Sequence, residues 1–364
     1  MAPLPFEPES LPPKLDWVAL VPGIGRANAA LARYDGLIQG LTHEDLLLAP
    51  LRTREAVLSS RIEGTQATLV EVLEEEADPG AGTPGKRSDI QEVLNYRRAI
   101  QKAVMELETR PLSLNLLRRV HGVLMSGVRG SQRAPGEFRK MQNYIGSPGA
   151  GIDQAIYVPP PAQQVVPLLS DLEHYLHEDA PDPIVQIAVG HARFEQIHPF
   201  LDGNGRVGRI LIPLFLYARG VISRPAFYMS AYLESHREEY YARLSEISKN
   251  GDHQGWVQFF LTAVTIQANE DTARVKDILH LHERMKQVVV DETRSKYALP
   301  ALDSLFTHPL FSTPQFVKTS GIPVASASRL LKQLEDAQVL AVRRTGKGRR
   351  PTLWSFPQLL DLLR

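Results

Sequence analysis

The chain has 364 residues, more than one ordinary domain of roughly 100–200 needs, which leaves room for two or three bodies with ample cores. Lysine plus arginine number 41 and aspartate plus glutamate 41, so whole-chain charge points to no nucleic-acid, membrane or acidic partner. The absence of cysteine excludes a disulfide framework and thiol chemistry, and suits a reducing compartment. The N-terminal MAPLPFEPES lacks the basic flank and apolar stretch of a signal peptide, and no run reaches the roughly 18 apolar residues of a membrane span. A cytoplasmic protein without membrane contact is the expectation.

Apolar residues recur mostly at spacings of 3 and 4, which predicts a mainly helical fold. In chain order, residues 1–25 read as a proline-broken extended arm, followed by helices at about 26–40, 53–62 and 67–76. DPGAGTPGK (78–86) reads as a surface loop, and helices resume at about 88–108 and 113–126. GSPGAGIDQAIYVPPP (146–161) suggests a short β-hairpin or flap closed by prolines. Further helices are expected at about 162–178, 184–197, 205–219, 234–248 and 254–288. The organisation anticipated is an N-terminal arm and helical region over 1–110, a central domain over 111–285, a linker over 286–298 and a C-terminal domain over 299–364.

The sharpest signal is HPFLDGNGRVGR, residues 198–209, between two apolar helical segments. Upstream, Ile184, Ile187, Ala188, His191, Phe194 and His198 fall at helical spacing, which puts His198 at the end of a buried face. A lone histidine there is more often packed core. The residues after it shift the balance: Gly203, Asn204 and Gly205 make a turn opening a helix, and small residues let backbone N–H groups approach an anion. Arg206 and Arg209 lie on one face of that helix, where cations gain nothing from the dipole and so call for an anionic ligand. Asp202 offers one hard oxygen, suited to a Mg²⁺ that takes its other ligands from phosphates and water. No His-Glu-x-x-His or cysteine pair supports zinc. GTPGKRS (82–88) lacks P-loop spacing, and GIGRAN (23–28) is too weak for a dinucleotide fingerprint.

HPFLDGNGRVGR resembles the Fic family motif H-x-F-x-[DE]-G-N-G-R-x-x-R at every specified position. The resemblance implies an adenylyltransferase that moves AMP from ATP, with Mg²⁺, onto a protein Ser, Thr or Tyr hydroxyl. It implies that His198 is the general base and Asp202 the metal ligand, with Phe200 burying the loop. Gly203 to Gly205, with the Asn204 side chain, would support the α-phosphate, and Arg206 and Arg209 would grip the β- and γ-phosphates; Val207 and Gly208 complete the nucleotide-binding turn. Relatives that phosphorylate carry lysine where this chain has Gly205, which favours AMP transfer. Gln154, Ala155, Ile156 and Tyr157 resemble the flap segment that covers the nucleotide and aligns the target backbone. Tyr240 and Tyr241 resemble adenine-pocket aromatics, with core packing an equal alternative.

SSRIEGTQAT, residues 59–68, sets Ser59 and Glu63 four apart, with Gly64 next. Read bare, this is a helix end with a solvated acid. It also resembles the Fic inhibitory motif [ST]-x-x-x-E-[GN], which implies that Glu63 competes with the γ-phosphate for Arg209. The resemblance covers roughly residues 1–285.

From 299 to 364 nine basic residues face four acids. Thr313-Pro314 starts a helix, Gly321 turns into a second, and Arg343, Arg344, Lys347, Arg349 and Arg350 read as the hairpin of a winged helix-turn-helix domain. Nucleic acid and protein docking, including a homodimer, are equally open partners for it. A DNA-binding regulator that only senses nucleotide, and a Fic enzyme that removes AMP, are the alternative readings.

Overall fold

The computed structural model describes residues 4–41, 44–80, 84–146, 149, 151–348 and 350–363. The helices that open the chain are α1 (Trp17–Gln39), α2 (Glu44–Ile62), α3 (Leu69–Ala77), α4 (Arg87–Leu107) and α5 (Leu114–Leu124). After a long irregular segment come α6 (Val165–His177), α7 (Pro183–Ile197), α8 (Asn204–Ala218), α9 (Ser230–Ser235), α10 (Arg237–Asn250) and the 41-residue α11 (His253–Thr293). The C-terminal part runs α12 (Ala298–Thr307), β1 (Leu310–Ser312), α13 (Thr313–Ser320), α14 (Val324–Asp336), β2 (Ala341–Arg344), β3 (Leu353–Ser355) and α15 (Pro357–Leu362). The fold is mainly helical, as the periodicity predicts.

Several boundaries differ from the sequence expectation. The arm gives way to helix at Trp17 rather than 26, with Pro22 inside it. The carbonyl that Pro22 leaves without a donor belongs to Val18, which is 82% exposed, so water can satisfy it. α2 likewise begins well before residue 53 and carries Pro50 within it. The flap is no regular hairpin: Ile145 and Tyr157 form one isolated antiparallel bridge, and Ile152–Gln154 is a 3₁₀ turn. Residues 286–293, expected as linker, are the last turns of α11.

The chain forms two compact units: residues 1–36, 58–64 and 95–269 make the first, and residues 37–57, 65–94 and 270–364 the second. The core of the first is the antiparallel pair α7 and α8. Asp182 caps α7, its Oδ1 accepting from Val185 N at 2.9 Å, with Pro183 preset for the first turn. Nearly every residue of α7 is buried, as is α8 from Arg206 through Leu216, because α5, α6, α10 and α11 surround the pair. Gly190 permits close approach of α6, since a Cβ there would meet Leu176 Cδ2 at 2.7 Å. Fully buried Trp256 ties α11 to α7 by donating Nε1–H to Ala188 O at 2.7 Å.

The second unit contains the winged-helix arrangement. Its three-stranded antiparallel sheet has the order β1-β3-β2, with Phe311 opposite Trp354 and Ala341 opposite Ser355. Ser312 caps α13, and Gly321, at φ +66°, ends it before α14. Leu73 and Ala77 of α3 join Leu310, Leu353 and Leu360 in one apolar cluster, so α3 is part of this body's core. Glu74 meets Arg343 at 3.0 Å, and Asp78 pairs with Arg344. Arg349, expected in the wing, lies outside the described residues.

Candidate active site

α7 ends and α8 begins within seven residues, and that connection holds the motif. His198 closes α7 in the left-handed region, φ +47°, an uncommon conformation for a residue with a side chain. Gly203, at φ +75°, opens α8. Buried Phe200 stacks on His121, ring centroids 3.8 Å apart, pinning the loop to α5. His121 Nδ1 accepts from Gly136 N–H at 2.8 Å, so Nε2 carries the ring proton and donates to Asp202 O at 3.0 Å. Burial keeps this imidazole neutral down to about 4. No local pattern in the sequence singles out His121.

The Asn204 side chain is engaged within the loop. Its Oδ1 accepts from Phe200 N and its Nδ2 donates to Phe200 O, both at 2.8 Å, which latches the turn shut. The first N–H groups of α8 have no intrahelical acceptors, an arrangement that suits an anion. Asp202 Oδ1 accepts from Gly203 N at 2.7 Å, and its carboxylate lies 3.6 Å from Arg133 and 4.0 Å from Arg206. With its side chain 33% exposed, it presents a single hard oxygen donor group; among the described residues no cluster of three acids or histidines could hold a metal alone. The site therefore fits a Mg²⁺ that arrives with phosphates and water.

A cavity of about 590 Å³ opens beside this loop, lined by Glu63, Ile156, Tyr157, Glu195, His198, Gly205, Arg209, Tyr240 and Tyr241 among others. Gly203, Asn204, Arg206, Val207, Gly208, Gln154 and Ala155 are not among its lining residues. Val207 is wholly buried on the core side of α8, and Gln154 is exposed on the flap. Tyr157 anchors the flap by donating its hydroxyl to Gln196 O at 2.8 Å. Burial lowers the His198 pKa to about 4, Glu63 and the Glu195 carbonyl opposing, so the ring is neutral at pH 7 and can accept a proton.

Arg209, with a side chain only 1% exposed, is clasped from the end of α2. Its Nε donates to Ser59 Oγ at 2.8 Å, and its Nη2 donates to Ser59 O at 2.9 Å and to Glu63 Oε1 at 2.7 Å. The Glu63 carboxyl lies on the bare backbone of α8, where a Cβ at Gly205 would collide with it. Burial works against ionisation of Glu63, yet the charge and hydrogen bond of Arg209 hold its pKa below the ordinary value. Glu63 and Arg209 thus both line the cavity, while buried Ser59 holds Arg209 from behind. Gly64 follows at φ +94°, a glycine conformation that turns the chain off α2.

The two tyrosines have different surroundings. Tyr240 is 1% exposed and donates to His191 Nε2 at 2.9 Å, while His191 Nδ1 donates to Gly208 O at 3.0 Å. Tyr241 is 43% exposed, with the Arg237 guanidinium 5.8 Å from its ring centroid. Glu195, which the sequence does not mark, also lines the cavity. Its Oε1 is buried with no hydrogen-bond partner among the described residues, and burial raises its pKa to about 8, with Arg209 opposing and Glu63 adding.

Residues 21–105 match the Fic/DOC family N-terminal model, and residues 111–216 match the Fic/DOC family model. Among curated proteins, the protein adenylyltransferase Fic of Drosophila grimshawi is 28% identical over 127 residues, covering 34% of this chain and 23% of that protein. The same protein of Culex quinquefasciatus is 31% identical over 127 residues, 34% of this chain and 22% of its own. The chain thus spans about a quarter of the length of those relatives. Among solved structures, a Fic family protein from Desulfovibrio desulfuricans G20 matches with TM-score 0.58 at 21% identity over 97% of this chain and 98% of its own. Fic-1 (aa134–508) of C. elegans gives TM-score 0.54 at 21% identity, covering 73% of this chain and 74% of its own. No described helix is long and apolar enough to cross a membrane. With the Fic/DOC N-terminal and Fic/DOC models matched in tandem over residues 21–105 and 111–216, the chain belongs to the Fic/DOC family.

Proposed function

We propose that this protein is an adenylyltransferase that moves AMP from ATP to a Ser, Thr or Tyr hydroxyl of a protein, itself included, and that Glu63 holds it in check. The observation that carries the reading is the Arg209 guanidinium, bound by Ser59 and Glu63 inside the cavity that also holds the neutral His198. The target oxygen attacks the α-phosphorus, His198 takes the hydroxyl proton, and pyrophosphate leaves as the new P–O bond forms. N–H groups at the start of α8 face the charge that builds on the α-phosphate. Asp202 is the residue that would hold Mg²⁺, which when bound neutralises phosphate charge. Arg209 takes the γ-phosphate once Glu63 releases it, and exposed Tyr241 offers a face for the adenine.

A second reading, hydrolytic removal of AMP from a modified protein, is favoured by the position of Glu63 in the same cavity as His198. Incubating the protein with labelled ATP and Mg²⁺, then mapping modified residues by mass spectrometry, tests the reading; no covalent AMP from either wild type or Glu63→Gly would overturn it.

A further inference from the structure

Arg139 is buried, with 3% of its surface exposed, and among the described residues no carboxylate pairs with it. Its side chain binds backbone carbonyls instead. Nε donates to His198 O at 3.0 Å, Nη2 to Ile197 O at 3.2 Å and Pro160 O at 2.5 Å, and Nη1 to Met141 O at 3.3 Å. Its own backbone N donates to Pro199 O at 2.9 Å. Burying an arginine without a counter-charge is costly, so its fork must supply something that an apolar residue could not.

The carbonyls explain what that is. Those of Ile197 and His198 stand at the end of α7, where the helix has no further N–H groups to offer and its dipole is negative. His198 is there in a left-handed conformation that a non-glycine residue keeps only when its surroundings enforce it. Pro160 ends the flap segment that contains Ile156 and Tyr157. Asn143 reinforces the arrangement, its Nδ2 donating to His198 O at 3.3 Å and Phe200 O at 3.0 Å, while Gln142 Nε2 holds Pro159 O at 2.9 Å.

We infer that Arg139 is a positioning residue, which locks the backbone of His198 and fixes the flap to it, so that base and nucleotide cover are aligned as one piece. The inference rests on the transferase reading above. A planar fork meets these divergent carbonyls at once; a lysine could satisfy one or two of them and would leave the rest unpaired.

The test uses the full chain in the Glu63→Gly background, where AMP incorporation is measured with and without Arg139→Ala, Arg139→Lys and Asn143→Ala. Misplacing a base by about 1 Å costs on the order of 10²-fold in rate. Arg139→Ala should therefore lose about 10²-fold in kcat while ATP affinity by calorimetry stays within about threefold, Arg139→Lys should fall between it and the parent, and millimolar guanidinium should restore part of the Arg139→Ala loss. Circular dichroism checks the fold, and if Arg139→Ala is unfolded, Arg139→Lys decides by the same split between kcat and affinity. The inference is overturned if kcat is unchanged in the folded variants, or if kcat and ATP affinity fall together. A Glu63→Gly parent that incorporates no AMP indicts the transferase reading; an active parent indifferent to Arg139 indicts only this one.

Discussion

Replacing Glu63 by glycine removes one of three hydrogen bonds that Arg209 makes with the end of α2, the one in which both partners are charged. The pair is desolvated on the arginine side, whose side chain is 1% exposed against 31% for Glu63. A charge-assisted hydrogen bond is worth roughly 1.5–3 kcal/mol, so freeing Arg209 should raise productive ATP occupancy about 10- to 100-fold. Ser59→Ala removes only one hydroxyl and should raise it by less than about tenfold. The glycine substitution also leaves a buried guanidinium without its counter-charge, so Glu63→Gly should lower Tm without ligand and regain it with saturating ATP. AMP incorporation and thermal melts, each with and without ATP, follow both effects. The competition argument is refuted if Glu63→Gly labels no faster than wild type, or if its gain persists when Arg209→Ala is added.

His198→Ala should reduce AMP incorporation by about 10²–10⁴-fold while calorimetric ATP binding persists, because it removes a proton acceptor and no phosphate contact; loss of binding in step with rate would contradict that role. The pH profile has a definite sign. With its pKa lowered to about 4, His198 protonates only in acid, so the acid limb of kcat/KM should centre near 4, and a limb near 6.5 would mean the base is solvated or is another group. Burial works against the charge of Glu63, but Arg209 holds its pKa below the ordinary carboxylate value, so acid should not loosen this pair before it reaches ordinary carboxylates. Tyr241→Ala should raise the ATP KM by about 5- to 100-fold through loss of base stacking. Tyr240→Phe should instead destabilise the fold by about 1–3 kcal/mol, since it strands His191 Nε2 in the core, and a denaturation series separates the two outcomes.

The sequence made the loop legible because its parts are contiguous: a glycine turn, an acid, two arginines and a histidine within residues 198–209. It made α7 and α8 legible because their burial is almost complete and their apolar spacing regular. What it hid depends on long separations. His121 reaches Asp202 across 81 positions and Arg139 reaches His198 across 59, and neither belongs to a local pattern that would mark it. The role of Asn204 within the loop is hidden for another reason: nothing in the sequence shows that the turn closes on Phe200 and takes both ends of its amide. The tyrosine pair is ambiguous in the sequence because adjacent helical residues point in different directions: both line the cavity, but Tyr240 is 1% exposed and bonded into the core while Tyr241 is 43% exposed.

The placement of α3 changes what a truncation would mean. Its capping box is complete: Thr68 Oγ1 accepts from Glu71 N at 3.3 Å, and Glu71 returns the bond to Thr68 N at 2.9 Å. The helix is nonetheless only nine residues long, too short to persist in water by itself, and its cover is Leu310, Leu353 and Leu360, more than 230 positions later. A nascent or clipped chain lacking residues 299–364 would lack the apolar partners that Leu73 and Ala77 meet in this cluster, on a helix that begins six residues after Glu63. During synthesis, the segment that follows Glu63 therefore meets these partners only after residues 310–360 have been made.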